Sequence, residues 1–178
     1  MDGILARGEM EVADWLFTPS HREAQRAYGD PERARRIANA MRTPTGLDEE
    51  QKAFLESLPF FFLATADGHE NVQCNFKGGG PGILRVETPA TLWWPEFPGN
   101  DLMLSVGNMK ASGWAGILGI SFAGQQKRLK VNGRAMLVEP AMSPYRASYP
   151  EARVWVRLDV REVIRNCVRR IPKMTFVE

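Results

Sequence analysis

The 178 residues are enough for one well-cored domain and marginal for two. With 44% hydrophobic and 25% charged residues and a net charge of +2, the composition is that of an ordinary globular chain and gives no electrostatic case for nucleic acid. Cys74 and Cys167 make no CxxC pair or disulfide framework, and no leader pattern or run near the ~20 apolar residues of a membrane span is seen, so a reduced, cytoplasmic protein is expected.

The first third reads as helical. Asp30 caps a helix whose first residue is Pro31, and Ala34, Ile37, Ala38 and Met41 recur as one apolar stripe. Residues 42–46 read as a loop. A second helix starts at the capping pair Asp48 and Gln51, buries Phe54, Leu55 and Leu58, and stops at Pro59.

From Phe60 the pattern changes to short strands. Phe60 to Ala66 is almost continuously apolar, and Val72 to Lys77 answers it across the turn that Asp67-Gly68 opens. Further strands are expected at Ile83–Val86, Thr91–Trp94, Leu102–Val106, Ile117–Phe122, Arg128–Val138 and Arg153–Val160. Such close spacing belongs to an antiparallel barrel or sandwich, not to a parallel sheet with crossover helices. Residues 139–150, rich in Pro, Ser and Tyr, read as a partly ordered loop. The domain expectation is a helical extension over 1–58 and a barrel over 59–178, in one structural domain.

Alternation assigns strand faces. Val72, Cys74 and Phe76 are expected inward, opposite Gln73, Asn75 and Lys77. Leu129 and Val131 oppose Arg128, Lys130 and Asn132. Val154, Val156, Leu158 and Val160 oppose Trp155, Arg157 and Asp159, and a wet Trp155 on the outer face argues for a dimer.

The richest stretch runs from Val72 to Asn108. Lys77 stands before Gly78, Gly79 and Gly80, where a chain without Cβ atoms can approach a ligand closely. That arrangement suits a flat anionic ligand such as a flavin phosphate. Lys77, Arg128 and Lys130 are candidates for the phosphate, Trp93, Trp94 and Phe97 for an aromatic shelf, and Gln73, Asn75, Asn100, Ser105 and Asn108 for the polar ring edge. Each has a plain alternative: a tight turn for the glycines, core for at least one tryptophan, a solvated strand face for Arg128 and Lys130. His21 and His69 have no metal-ligand spacing with either cysteine, so no metal site is expected. No GxSxG elbow supports a catalytic triad.

The segments 60–68, 72–86, 91–100, 104–108, 116–122, 128–137 and 165–174 together make the chain resemble the pyridoxamine 5'-phosphate oxidase-like proteins with the FMN-binding split β-barrel, in their poorly characterised branch. The resemblance implies a mainly β fold, a six-stranded antiparallel Greek-key barrel with N-terminal helices, dimerising with FMN between the subunits. By position it implies that Gln73, Asn75, Lys77 and Gly78 line the flavin from the second strand. Trp94, Pro95, Gly99, Asn100, Ser105 and Asn108 line it from the following strands and loop. One departure stands out: relatives often carry Arg or Lys after the Gly-Asn pair, and here that residue is Asp101. Lys77 and Arg128 then have to carry more of the phosphate's charge.

The function expected is therefore an FMN-dependent oxidoreductase acting on a small molecule, working as a homodimer without nucleic acid or membrane partners and with no assigned catalytic residue. The alternatives are a deazaflavin in the same site, a haem-binding barrel with His21 or His69 as axial ligand, and an interaction module whose pocket is empty.

Overall fold

The computed structural model describes residues 16–40, 46–69, 71–124, 126–165 and 168–175. The chain divides into two compact units, residues 1–44 and 45–178. The division falls ahead of the helix at 49–57, not after it, so that helix goes with the sheet.

The described part of the first unit holds helices α1 (Pro19–Tyr28) and α2 (Pro31–Ala40). At the start of α1, Thr18 and His21 cap each other: the His21 N–H donates to Thr18 Oγ1 at 3.3 Å, and the Thr18 N–H donates to His21 Nδ1 at 3.2 Å. Asp30 Oδ1 accepts the Arg33 N–H at 3.0 Å, which caps α2 as its sequence requires. Of the expected stripe, Ala38 is buried against Leu16 and Phe17 while Ile37 is exposed; Met41 lies outside the described residues.

In the second unit α3 (Glu49–Ser57) opens with the reciprocal Asp48–Gln51 box and buries Leu55, with Leu58 buried just beyond its end. Among the described residues seven antiparallel strands follow: β1 (Phe60–Ala66), β2 (Val72–Gly78), β3 (Arg85–Thr88), β4 (Thr91–Glu96), β5 (Trp114–Ile120), β6 (Arg128–Val138) and β7 (Val154–Arg165). Their order in the sheet is β2-β1-β5-β6-β7-β4-β3, one strand more than the six expected. The sheet curls so that its ends meet. Phe61 of β1 packs edge-on against Trp94 of β4 with ring centroids 5.9 Å apart, and Lys77 of β2 reaches Glu96 at the end of β4. The core inside the curl includes Leu55, Phe61, Leu63, Leu84, Leu92, Trp94, Ile117, Val131, Val156 and Leu158. Gly133, on β6 opposite the bulge at Arg161 of β7, is required there: a Cβ would stand 2.3 Å from the Asp159 carbonyl oxygen on β7.

Three expectations are corrected. The segment expected as a strand at 102–106 opens helix α4 (Leu104–Ser112). Asp101 and Met103 take left-handed backbone angles, φ 61° and 47°, which end the extended chain. Ser105, Asn108 and Met109 then bury one helical face, while Leu102 and Leu104 stay exposed. The faces of β2 are also reversed. Gln73, Asn75 and Lys77 pair with Thr65, Leu63 and Phe61, the buried face of β1, so the polar set turns toward the interior. Val72, Cys74 and Phe76 are exposed, so Cys74 is not a small buried core residue. Finally, Trp155 is fully buried. The segment 139–150, expected as a partly ordered loop, holds two 3₁₀ turns, and Tyr145 and Tyr149 beside them pack with Trp93 and Ala152 over it.

Among the described residues no helix is long and apolar enough to cross a membrane.

Candidate functional site

The inward polar face of β2, the end of β4 and the first turn of α4 enclose a cavity of about 260 Å³. Sequence alternation places Asn75 and Lys77 on one side of β2, and the pairing with β1 aims that side at the cavity. Asn75 Nδ2 donates to Ser105 Oγ at 2.8 Å, tying β2 to α4. Asn100 Oδ1 accepts the Leu102 N–H at 3.2 Å and shapes the loop at the cavity mouth. Phe97 adds an apolar wall.

The N-terminus of α4 opens onto this space, since Leu104, Ser105 and Val106 all line it. Met103 at the N-cap offers no side-chain acceptor, so the first-turn N–H groups carry no side-chain cap. Uncapped N–H groups and the positive end of the helix dipole favour an acceptor or an anion.

The charges in the cavity cancel in pairs. Lys77 Nζ lies 2.5 Å from Glu96 Oε2, with the two side chains only 19% and 6% exposed. The other Glu96 oxygen accepts the Trp94 indole N–H at 2.9 Å. At the rim, Asp101 pairs with Arg153 at 2.8 Å, so the unusual acid after Gly99-Asn100 has its own cation. The expected cationic crevice is in fact close to neutral.

Of the residues singled out in the sequence, Asn75, Lys77, Gly99, Asn100, Ser105 and Phe97 meet in this cavity. Gln73 lies on the same face of β2, beyond Asn75. Asn108 is buried one helical turn further on and donates to Thr65 Oγ1 at 3.2 Å. Gly78 falls on the opposite face, paired with Phe60. Trp94 and Pro95 are buried in the barrel wall, and Trp94 reaches the cavity only through Glu96. Trp93 is buried in the layer under Tyr145, with its indole N–H on Glu87. Arg128 lies elsewhere, lining a separate cavity of about 180 Å³ with Gln51, Phe54 and Arg165; Lys130 is exposed.

The glycine corner is committed to the fold. The N–H groups of Gly79 and Gly80 both donate to the Pro59 carbonyl, at 3.2 and 3.0 Å, and a Cβ on Gly79 would meet Ile83 at 2.8 Å. These donors hold β2 against the end of α3 and are not free for a phosphate. Nor does either histidine line the described cavities: His21 belongs to the α1 cap, and His69 sits exposed in the β1–β2 turn.

Glu96 went unnoticed in the sequence, although alternation gave the signal: Leu92, Trp94 and Glu96 share one face, so the carboxylate had to follow two buried side chains inward.

The residues present fit a flavin in part. Amide, hydroxyl and first-turn N–H donors suit its carbonyl edge and sugar-like chain, and the α4 terminus suits a phosphate. The Lys77–Glu96 pair does not act as a free cation.

A family model described as pyridoxamine 5'-phosphate oxidase matches residues 47–167. Similar solved structures include a putative pyridoxamine 5'-phosphate oxidase from Lactobacillus delbrueckii, 21% identical, covering 68% of this chain and 96% of that one with a TM-score of 0.53. HupZ from Group A Streptococcus is 13% identical, covering 68% and 99% with a TM-score of 0.52. At such identities these similarities speak for the fold. No curated protein matches the sequence.

Proposed function

The chain belongs to the pyridoxamine 5'-phosphate oxidase family, and from that premise we propose that it is a flavin-binding split barrel, with FMN as the ligand, acting as an oxidoreductase on a small molecule. The observation that carries this reading is the uncapped N-terminus of α4 facing Asn75, Lys77 and Ser105 across one cavity. Asn75, Asn100 and Ser105 would hold the ligand's polar edge, and the first-turn N–H groups of α4 its phosphate. A bound flavin supplies electron or hydride transfer; the chain supplies orientation and hydrogen bonds. A deazaflavin shares most of these contacts.

A cavity of about 260 Å³ is below the usual range of roughly 300–1,000 Å³ for sites that enclose a drug-sized ligand. This supports a second subunit as its missing wall. The exposed set Val72, Cys74 and Phe76 on β2, with the half-buried Phe60 and Phe62 beside it on β1, is the surface we assign to a homodimer.

The test is direct. Purified protein should absorb in the blue with a flavin spectrum, or take up added FMN at micromolar concentration. Colourless protein that takes up none overturns the proposal.

A further inference from the structure

Lys77 is the one cation, among the described residues, whose side chain both lines the cavity and is largely buried, and it is already paired with a deeper carboxylate. Glu96 spends both oxygens on fixed donors, Lys77 Nζ and Trp94 Nε1. Trp94 is fully buried in the core, so the carboxylate cannot swing aside to release the lysine. An ammonium group has three donors, and Glu96 takes one. The others remain for a neutral acceptor in the cavity, while an anion arriving at Lys77 meets the Glu96 charge directly behind it.

We propose that Glu96 is a specificity-determining residue that sets the charge of what binds here. It keeps Lys77 as a hydrogen-bond donor to a neutral acceptor, such as a ring carbonyl, and prevents Lys77 from acting as a phosphate cation. A terminal phosphate then gains nothing from Lys77. The inference rests on the flavin reading above for the identity of the ligand, but not for the charge logic, which any anion probes.

Two variants separate the possibilities, with FMN and riboflavin affinities measured by quenching of flavin fluorescence. Glu96→Gln unmasks the lysine. Affinity for FMN relative to riboflavin is expected to rise by about tenfold or more, the scale of one new charge-assisted hydrogen bond. Lys77→Met combined with Glu96→Gln replaces one neutral pair by another and should leave that ratio within about threefold of the wild type. If Lys77 were a phosphate cation despite Glu96, the double variant would instead lose FMN preference by about tenfold or more. That loss, or an unchanged ratio in Glu96→Gln, overturns the proposal. Inorganic phosphate provides the flavin-free arm: beyond whatever shift the α4 terminus gives all three proteins, it should raise the Tm of Glu96→Gln more than that of the wild type or the double variant. If neither flavin binds the wild type, the flavin reading fails. The phosphate arm still decides the role of Glu96, since equal shifts in all three proteins refute it.

Discussion

Replacing Phe76 by aspartate tests the proposed pairing of subunits through the outer face of β2. Phe76 is 62% exposed even though its ring lies 5.1 Å from that of Phe60 and 6.2 Å from that of Phe62. An aromatic side chain carries roughly 200 Å² of surface, so about 120 Å² is left for a partner to cover. At about 25 cal/mol per Å² that area corresponds to about 3 kcal/mol per copy, counted twice by two-fold symmetry. Side-chain ordering and imperfect fit consume part of the gain, so about half of the total, about 3 kcal/mol, enters the prediction. The dissociation constant of the dimer should therefore rise at least ~100-fold in Phe76→Asp, before the added cost of burying two unpaired carboxylates. Sedimentation velocity over a concentration series reads it. Circular dichroism and the urea midpoint of the separated subunits should stay close to wild type, because the substituted side chain faces solvent there. A wild type that is monomeric throughout, or a variant that dimerises as tightly as the wild type, refutes the reasoning.

Two glycines should answer alanine with opposite signs. Gly133→Ala forces a Cβ against the Asp159 carbonyl oxygen at 2.3 Å and should cost about 2–4 kcal/mol of stability. Gly107→Ala opens into empty space within α4 and should gain up to about 1 kcal/mol; urea midpoints that move the same way would defeat the argument. Burial raises the hydroxyl pKa of Tyr145 and of Tyr149 above the ordinary tyrosine value, with Arg85 opposing it in both. A folded-state pKa above the unfolded one means that this contribution is whole below about pH 10 and is lost as pH rises through the folded value. Stability should therefore fall on the alkaline side. Replacing Tyr145 and Tyr149 together by phenylalanine should flatten that fall in urea titrations between about pH 8 and pH 11, and an unchanged slope would be the contrary result.

The strands were legible because their apolar runs are short and separated by turn residues, and the helix starts because Asp30 and the Asp48–Gln51 pair are chemically explicit caps. The segment 102–106 misled because Leu102, Leu104 and Val106 imitate a strand's alternation. The buried helical set Ser105, Asn108 and Met109 is two-thirds polar and carries a weak hydrophobic signal. The faces of β2 misled for a related reason. Hydrophobic patterning tells which residues share a face, not which face turns inward, and a strand at the end of a curled sheet can put its polar side toward a cavity. Lys77 was placed in the cavity by its position, but its charge could not be assessed without knowing that Glu96, nineteen positions away in the chain, would lie against it. The glycine corner drew notice for conformational freedom that the fold spends on hydrogen bonds to Pro59.

The two outer flanks of the sheet bear on the proposed dimer together. On β4 and β7, the chain covers its own outward aromatics: Trp93 and Trp155 are roofed by Tyr145, Tyr149 and Ala152. On β2 the outward residues Val72 and Phe76 stay largely exposed, although they are as apolar as the covered set. A chain that spends residues 139–153 to dry one flank gains little by leaving the other wet, unless something outside the subunit dries it. A second copy meets that requirement and adds a geometric consequence. Because β2 alternates, the strand whose outer residues would be clamped by the partner is the same strand whose inner residues, Asn75 and Lys77, line the cavity. Fixing one face of β2 fixes the other. The Phe76→Asp monomer should therefore also lose ordering of Asn75 against Ser105, and flavin affinity should fall together with the dimer. Tight flavin binding by a monomeric Phe76→Asp would separate the two faces and leave the exposed flank without a role in the site.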